Sequence, residues 1–326
     1  MIKIKDLKEA IIKTNAELEE DKWIDRYDNY ADLMLKYEEN KIELGKKFRE
    51  WEPLKFYLNV TNAKKNVNSL TISVRYLGQE VANIKVDDSG VYIYTDVTKA
   101  TNKNNKKNFE CDIELNKSSH IKWNSLEAKK FREHFKNRDR NDLDKRNEEH
   151  RIESELLTEF LKASSKDKML CGIQPVTFAG FRFSMPTAIT ASKEIKIGGK
   201  NGSSGGNIDI LARTTGKKIT VIELKDENKP QEDINKVLEQ ATAYAVFILK
   251  LLHSKSGEKW YKIFGFSGSM PKKITIRVSV AMPTKKDGAC EKFETFSLPC
   301  GEDKLEYHWI YFEESDKKIK KIESSL

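Results

Sequence analysis

Cysteine and histidine are scarce in this sequence, and neither is spaced to hold a structural metal ion. Four cysteines and five histidines occur among 326 residues. The cysteines form no CxxC pair, and no histidine has a Cys or His neighbour at ligand spacing, so the pattern argues against a structural zinc site. So few cysteines also suit a reducing cytoplasm, which is the predicted location. The cysteines are Cys111, Cys171, Cys290 and Cys300.

Long apolar runs are absent as well. No stretch approaches the roughly 20 consecutive apolar residues that a membrane-spanning helix needs. The first six residues, from Met1 to Asp6, include too many charged side chains for a secretory signal. The sequence therefore predicts a protein without a membrane partner.

Charged residues, in contrast, are abundant. They make up 34% of the chain, hydrophobic residues make up 38%, and the net charge is +8. A basic balance favours a polyanionic partner such as nucleic acid. The lysines are spread widely along the chain, so a Lys-rich protein without such a partner remains an alternative.

The chain is long enough for two domains, and its hydrophobic pattern changes along it. Residues 5–50 have a helical period, whereas residues 55–97 alternate as strands do. This change predicts a smaller α+β N-terminal module over residues 1–140 and a second domain over residues 141–326. The N-terminal module is expected to recognise the substrate or a partner protein.

Three polar segments are candidates for contact with phosphate groups. The basic residues 99–108 are interpreted as a solvated surface loop rather than a phosphate contact. Residues 126–148, which Ser125 is placed to cap, are interpreted as an exposed linker helix, with a basic helix along a nucleic-acid backbone as the alternative. The Gly/Ser-rich residues 198–206 lack the spacing of a phosphate-binding loop, so they are interpreted as a flexible loop at the mouth of a site.

A predicted β-hairpin contains the residues that suggest chemistry. Its strands are residues 207–212 and 218–225, joined by a short turn. Side chains alternate across a strand, so Glu223 and Lys225 extend a face that is apolar up to that point. If the two strands pair about the turn, Asp209 lies level with Glu223.

Two carboxylates beside one ammonium group suit a hard divalent cation. Burial of these charges costs free energy unless they are paired or bind a metal. Oxygen ligands favour Mg²⁺, with Mn²⁺ able to replace it, and the main-chain carbonyl of Leu224 is a further candidate ligand beside Asp209 and Glu223. Lys225 is then placed to orient water or to offset charge on a phosphate.

Asp209 followed by Glu223-Leu224-Lys225 resembles the motif of the PD-(D/E)XK nuclease superfamily. Ile208 stands where the named motif has proline. The resemblance covers roughly residues 149–283, and this half of the chain also resembles a bacterial family of unassigned role. It implies a restriction-endonuclease-like α/β fold, in which helices flank a mixed central sheet.

The same resemblance implies that two helices support the motif. Gln240-Ala-Thr-Ala-Tyr244 is similar to the QxxxY helix of the RecB-like branch, where these side chains hydrogen-bond to active-site residues or to the substrate phosphate. The superfamily also tends to place a Glu ligand on its first core helix. Glu153 is the predicted residue here, with Glu149 in reserve, and Glu155 faces more to the side.

The function implied is that of a metal-dependent nuclease, which hydrolyses phosphodiester bonds in nucleic acid. DNA is favoured over RNA, and restriction, repair or antiviral defence are the settings in which such enzymes work. The alternative is a nucleic-acid-binding or scaffolding protein that has a nuclease fold and does not cleave. A homodimer, or a protein partner bound through the N-terminal module, is a further expectation.

Overall fold

The strands of the protein form two sheets on which the helices pack. The computed structural model describes residues 2–19, 23–37, 51–59, 68–98, 101, 104–138, 148–164, 169–178, 180–187, 206–225, 233–284, 292–316 and 318–326. The α-helices in these ranges are α1 (Ile4–Glu17), α2 (Ile24–Lys36), α3 (Leu126–Lys136), α4 (Glu148–Ser164), α5 (Ile234–Leu252) and α6 (Gly257–Ile263). The strands are β1 (Lys55–Asn59), β2 (Leu70–Tyr76), β3 (Gln79–Asp87), β4 (Gly90–Tyr94), β5 (Gln174–Pro175), β6 (Thr177–Phe178), β7 (Phe181–Pro186), β8 (Asn207–Ile208), β9 (Ile210–Arg213), β10 (Ile219–Leu224), β11 (Thr275–Pro283), β12 (Phe296–Cys300), β13 (Asp303–Ser315) and β14 (Lys318–Ser324).

The first sheet has the strand order β4-β3-β2-β1-β7-β6, with β8 also paired to β7. Its neighbouring strands are antiparallel except for β1 and β7, which pair in parallel with Leu58 opposite Phe183. Strands from both sides of the predicted domain boundary therefore share one sheet. Residues 139–147 lie outside the described residues, and a division near residue 140 stays a prediction.

The second sheet has the order β12-β13-β11-β10-β9-β5, with β14 also paired to β13. Strands β10, β11 and β13 run parallel, and the others are antiparallel to their neighbours. Every residue of β10 is buried because helices cover both of its faces. Val221 belongs to the core that includes residues of α5, whereas Ile222 joins α4 residues such as Leu156 in a second core. The protein is thus mixed α/β, as expected.

The N-terminal helices pack on the C-terminal ones through aromatic side chains. The indole N–H of Trp260 donates to the carbonyl of Tyr27 at 3.2 Å, and the rings of Trp23 and Phe247 lie 5.4 Å apart. These contacts join α2 to α5 and α6 in one core. Residues 38–50 of the predicted helical region lie outside the described residues. No helix in the described ranges has both the length and the apolar content to cross a bilayer.

Helix α3 differs from the exposed linker helix expected for residues 126–148. Ser125 caps it as predicted, since the Ser125 hydroxyl accepts from the N–H of Ala128 at 3.2 Å. The interpretation as a linker is wrong, however, because Phe131 and Phe135 are fully buried and the ring of Phe135 packs 5.0 Å from that of Tyr76. The aromatic residues four apart on one helix face anchor α3 to the first sheet.

Glu306 on β13 makes the stability of the second sheet depend on pH. Burial raises the pKa of its carboxyl group, but hydrogen bonds from Lys218 and Lys304, both 2.7 Å long, outweigh this and lower the pKa to about 2. A lowered folded-state pKa stabilises the protein above the unfolded pKa of about 4.3, and the stabilisation is lost as pH falls towards 2.

We therefore expect Glu306→Gln to lower the free energy of unfolding by about 1–2 kcal/mol at pH 7 and by less at pH 3. Urea denaturation at both pH values measures the difference. Glu313→Gln, which changes an exposed carboxylate with one lysine partner at 3.3 Å, is the matched control. A loss for Glu306→Gln that is equal at both pH values would contradict the ion-pair explanation.

Candidate active site

Asp209 lies where the chain passes from the first sheet to the second. The residue before it belongs to β8, in which Ile208 pairs with Met185 of β7. The residue after it begins β9, in which Ile210 pairs with Ile222 of β10. The next position along this register sets Asp209 level with Glu223, as the hairpin predicted. Its Oδ2 atom accepts a 2.7 Å hydrogen bond from the main-chain N–H of Leu224, which holds the carboxylate against the end of β10.

Glu223 and Lys225 form a buried ion pair at the end of β10. Glu223 is 1% exposed and Lys225 is 9% exposed. The Lys225 ammonium donates to Glu223 Oε1 at 2.8 Å, and the Lys225 main-chain N–H donates to the carbonyl of Ala281 at 3.0 Å. Glu223 shares its strand face with Val221, so it follows the apolar residues that face α5. Burying two charges at a strand end lowers stability unless they pair with each other or bind a ligand. Buried charges of this kind are typical of functional sites.

Helix α5 brings Gln240 and Tyr244 to the same place. The Gln240 side-chain amide donates to Tyr244 Oη at 3.1 Å, as expected of two residues four apart on a helix. Tyr244 is buried, and burial together with the negative charges of Glu223 and Asp209 raises its pKa well above the usual range. The phenol group therefore lies within electrostatic reach of both carboxylates and stays protonated at neutral pH.

Helix α4 supplies two further carboxylates. Glu153 and Glu149 each add negative charge that raises the pKa of Asp209. Glu153 is buried, and its Oε2 atom lies 3.3 Å from His150 Nδ1 and 3.8 Å from a guanidinium nitrogen of Arg75. Glu153 thus adds negative charge beside Asp209, with part of its own charge balanced by Arg75, and its predicted role as a metal ligand stays a prediction.

Glu155 faces another part of the protein. Its charge acts on Lys55 of β1, whose pKa burial lowers. The charges of Glu149 and Glu153 therefore act on Asp209, whereas that of Glu155 acts on Lys55.

Burial and crowding raise the pKa of Asp209 well above its ordinary value. Burial is the larger cause, and the neighbouring Glu223 carboxylate is the next, while the N–H of Leu224 acts in the opposite direction. Two adjacent carboxylates of this kind attract a cation, since a bound cation offsets their mutual repulsion. The chemistry of the donor set therefore fits a divalent metal ion.

The acidic side chains of the site contact other groups of the protein in this structure. No three His, Cys, Asp or Glu side chains gather into a metal-binding cluster in the part of the chain that the structure describes. Glu223 contacts Lys225, and Glu153 contacts His150 and Arg75. Leu224 takes part through its N–H, and the predicted role of its carbonyl as a metal ligand stays a prediction.

No family model, curated protein or solved structure matches this chain.

Gly206 is a site residue that the sequence did not reveal. A Cβ atom at this position would lie 1.9 Å from Tyr244 Oη, so only glycine lets the main chain pass so close to the phenol group. In the sequence it is the last residue of the predicted Gly/Ser-rich loop, and residues 198–205 of that loop lie outside the described residues. Its position three residues before Asp209 was the one available signal.

Arg75 is the second residue that the sequence did not reveal. It belongs to β2, far from the motif along the chain, and its guanidinium group stacks over the ring of Tyr57 at 4.2 Å while approaching Glu153. The N-terminal half thus contributes a positive charge next to Glu153. No sequence pattern distinguishes Arg75 from the other basic residues, because only the pairing of β2 beside β1 brings it to α4.

Proposed function

We propose that the protein is a metal-dependent nuclease that hydrolyses phosphodiester bonds in nucleic acid, with DNA as its preferred substrate. The observation that carries the proposal is the junction at Asp209. There one carboxylate is bound to the N–H of Leu224, between the buried Glu223 and Lys225. Two carboxylates and an ammonium group at one strand end match the PD-(D/E)XK motif in identity and in order along the chain.

Asp209, Glu223 and the Leu224 carbonyl would hold Mg²⁺ or Mn²⁺, with Glu153 or Glu149 as a further oxygen donor. These are hard oxygen ligands, and burial together with the neighbouring Glu223 carboxylate raises the pKa of Asp209, so the site favours added positive charge. A bound ion would supply a nucleophilic water at neutral pH and stabilise negative charge on the phosphate. This is the chemistry that hydrolysis of a phosphodiester requires.

Lys225 and the phenol group of Tyr244 are the side chains that would assist hydrolysis in addition to the metal ion. The Lys225 ammonium, 2.8 Å from Glu223 Oε1, places a fixed positive charge where it orients the attacking water and offsets charge on the phosphate. Tyr244 remains protonated beside the carboxylates, and Gln240 fixes its hydroxyl oxygen. Both side chains are positioned before substrate binds, so little reorganisation accompanies the reaction.

The direct test measures cleavage of labelled single- and double-stranded DNA and RNA, with Mg²⁺ or Mn²⁺ against EDTA. We expect metal-dependent cleavage by the wild type and a loss of about 100-fold or more in Lys225→Ala. Lys162→Ala, which changes an exposed lysine on α4, should cleave as the wild type does.

A second variant controls for loss of activity through misfolding, because Lys225→Ala alone leaves Glu223 buried without its ion pair. The double variant Glu223→Gln/Lys225→Met keeps the size of both side chains and removes both charges, so we expect a folded and inactive protein. Binding of nucleic acid without cleavage by the wild type under every metal condition would contradict the proposal. That result would support the alternative function, a non-cleaving binding protein, in which Lys225 serves to neutralise Glu223.

A further inference from the structure

A groove lies on the outer strand of the first sheet, in the N-terminal half of the chain. It has a volume of about 470 Å³ and is bounded by β3, β4 and the segment that runs from Leu115 to Trp123. That segment follows β4 as an irregular neighbour, since Ile121 accepts from the N–H of Ile93 at 2.9 Å and Trp123 donates to Val91 at 3.2 Å. The groove therefore has walls held by main-chain hydrogen bonds.

Aromatic and basic side chains line this groove together. The rings of Tyr92 and His120 meet edge to face with centroids 5.3 Å apart. The Lys117 ammonium lies 5.1 Å from the centre of the Tyr94 ring. Tyr92 Oη donates to the carbonyl of Ser89 at 2.7 Å, which fixes the ring in place. His120 and Lys117 are exposed, so both are open to an incoming ligand.

Positive charge is concentrated in the chain that forms one wall of the groove. Residues 115–138 contain seven Lys or Arg residues against two Glu, a net charge of +5 out of +8 for the whole protein. The wall is joined to α3 through stacked side chains, because Trp123 stacks on Trp51 at 6.1 Å and Arg132 lies 4.2 Å from the Trp51 ring. Two of the seven basic residues, Lys117 and Lys122, lie on the wall itself, and the other five lie on or directly after α3.

Two acidic residues near the groove already have partners. Asp96 accepts from the main-chain N–H of Lys117 at 2.8 Å, and Asp87 pairs with Lys85 at 2.6 Å. The ammonium groups of Lys117 and Lys122 form no ion pair within the described residues. The segment from Leu115 to Trp123 carries Lys117 and Lys122 and no acidic residue, so this wall of the groove is basic, whereas Asp96 places one exposed carboxylate beside it.

We propose that this groove binds single-stranded nucleic acid, with bases against the rings of Tyr92 and His120 and phosphates near Lys117 and Lys122. Aromatic faces bind unpaired bases of any sequence, and a basic groove follows the backbone. Bases in a duplex are stacked inside the helix, so they do not reach such rings. This inference rests on the proposed function. It specifies single-stranded nucleic acid as the substrate of the enzyme, and it identifies a binding surface outside the active site.

The test measures binding of a fluorescently labelled oligo-dT of about 12 nucleotides to the full-length protein in EDTA, by anisotropy. We expect Tyr92→Ala and His120→Ala each to weaken binding about tenfold. Lys117→Glu should weaken binding and reduce its dependence on salt. Tyr92→Phe, which keeps the ring, and Lys5→Glu, which changes an exposed lysine on α1, should bind as the wild type does.

Two results would overturn the inference. One is the absence of oligonucleotide binding by the wild type, and the other is unchanged binding after removal of either ring. A duplex of the same length, expected to bind more weakly and without dependence on Tyr92, provides the comparison. Because EDTA prevents cleavage, the outcome separates the two proposals. Cleavage without binding at the groove would leave the nuclease proposal standing, and binding without cleavage would leave the groove standing.

Discussion

Asp209→Asn should abolish cleavage and yet make the folded protein more stable. The carboxylate is partly buried beside Glu223, and both its burial and the Glu223 charge raise its pKa, so the ionised form lowers the stability of the fold. Asparagine has nearly the same shape, and its carbonyl oxygen can still accept from the N–H of Leu224. We expect a loss of activity of about 1000-fold and a gain of about 1 kcal/mol in the free energy of unfolding at pH 7.

The gain in stability of the Asp209→Asn variant should depend on pH. A raised folded-state pKa means that the destabilisation by Asp209 is absent below the unfolded pKa of about 3.9 and grows as pH rises above it. The advantage of the Asn variant should therefore shrink as pH is lowered towards 4. Thermal unfolding in EDTA measures stability apart from metal binding. Asp25→Asn, at a carboxylate that is 75% exposed, should change neither property. A variant that lost both activity and stability would indicate that the carboxylate has a structural role.

Gly257→Ala should destabilise the protein more than other alanine substitutions of exposed or turn glycines. A Cβ atom at Gly257 would lie 1.8 Å from the carbonyl oxygen of Leu252 and 2.6 Å from its carbonyl carbon. Both are main-chain atoms at the end of α5, so no side-chain rotation relieves the overlap. The corner between α5 and α6 would have to open, which would move Trp260 in the aromatic core. We expect a loss of about 3–5 kcal/mol.

Chemical denaturation measures this loss, and Gly216→Ala is its matched control. Gly216 lies in the exposed turn between β9 and β10, where the nearest atom to a Cβ would be Thr214 Oγ1 at 3.7 Å. Alanine there should leave the stability within about 1 kcal/mol of the wild type, because it meets no overlap and restricts the unfolded chain. Equal effects of the two substitutions would show that the close approach at Gly257 is relieved without cost.

Local patterns predicted the elements around the site because those elements depend on neighbours in the chain. The alternation that ends in Glu223 and Lys225 predicted β10, and the distance to the turn set Asp209 level with Glu223. The spacing of Gln240 and Tyr244 predicted that they share one helix face, which their mutual hydrogen bond confirms, whereas their predicted bonds to active-site residues or to a substrate phosphate stay a prediction.

Contacts between segments that are distant in the chain could not be predicted from the sequence. Phe131 and Phe135 gave α3 an apolar face, but the surrounding charges masked it, and only the packing against the first sheet decides that α3 is not a linker. Arg75 reaches Glu153 because β2 lies beside β1 and β1 beside β7. Gly206 became informative only when Tyr244 was found against its main chain.

The parallel pairing of β1 with β7 has a consequence for how the protein is made. Tyr57 and Arg182, which pair across these strands and are joined by a 2.9 Å hydrogen bond between their side chains, lie 125 residues apart in the chain. During synthesis β1 leaves the ribosome long before β7. Until β7 is available, the main-chain N–H and C=O groups on one edge of β1 have no strand to pair with. Closing so long a loop is slow in folding. The candidate active site, which needs both sheets, can form only after most of the chain has been translated.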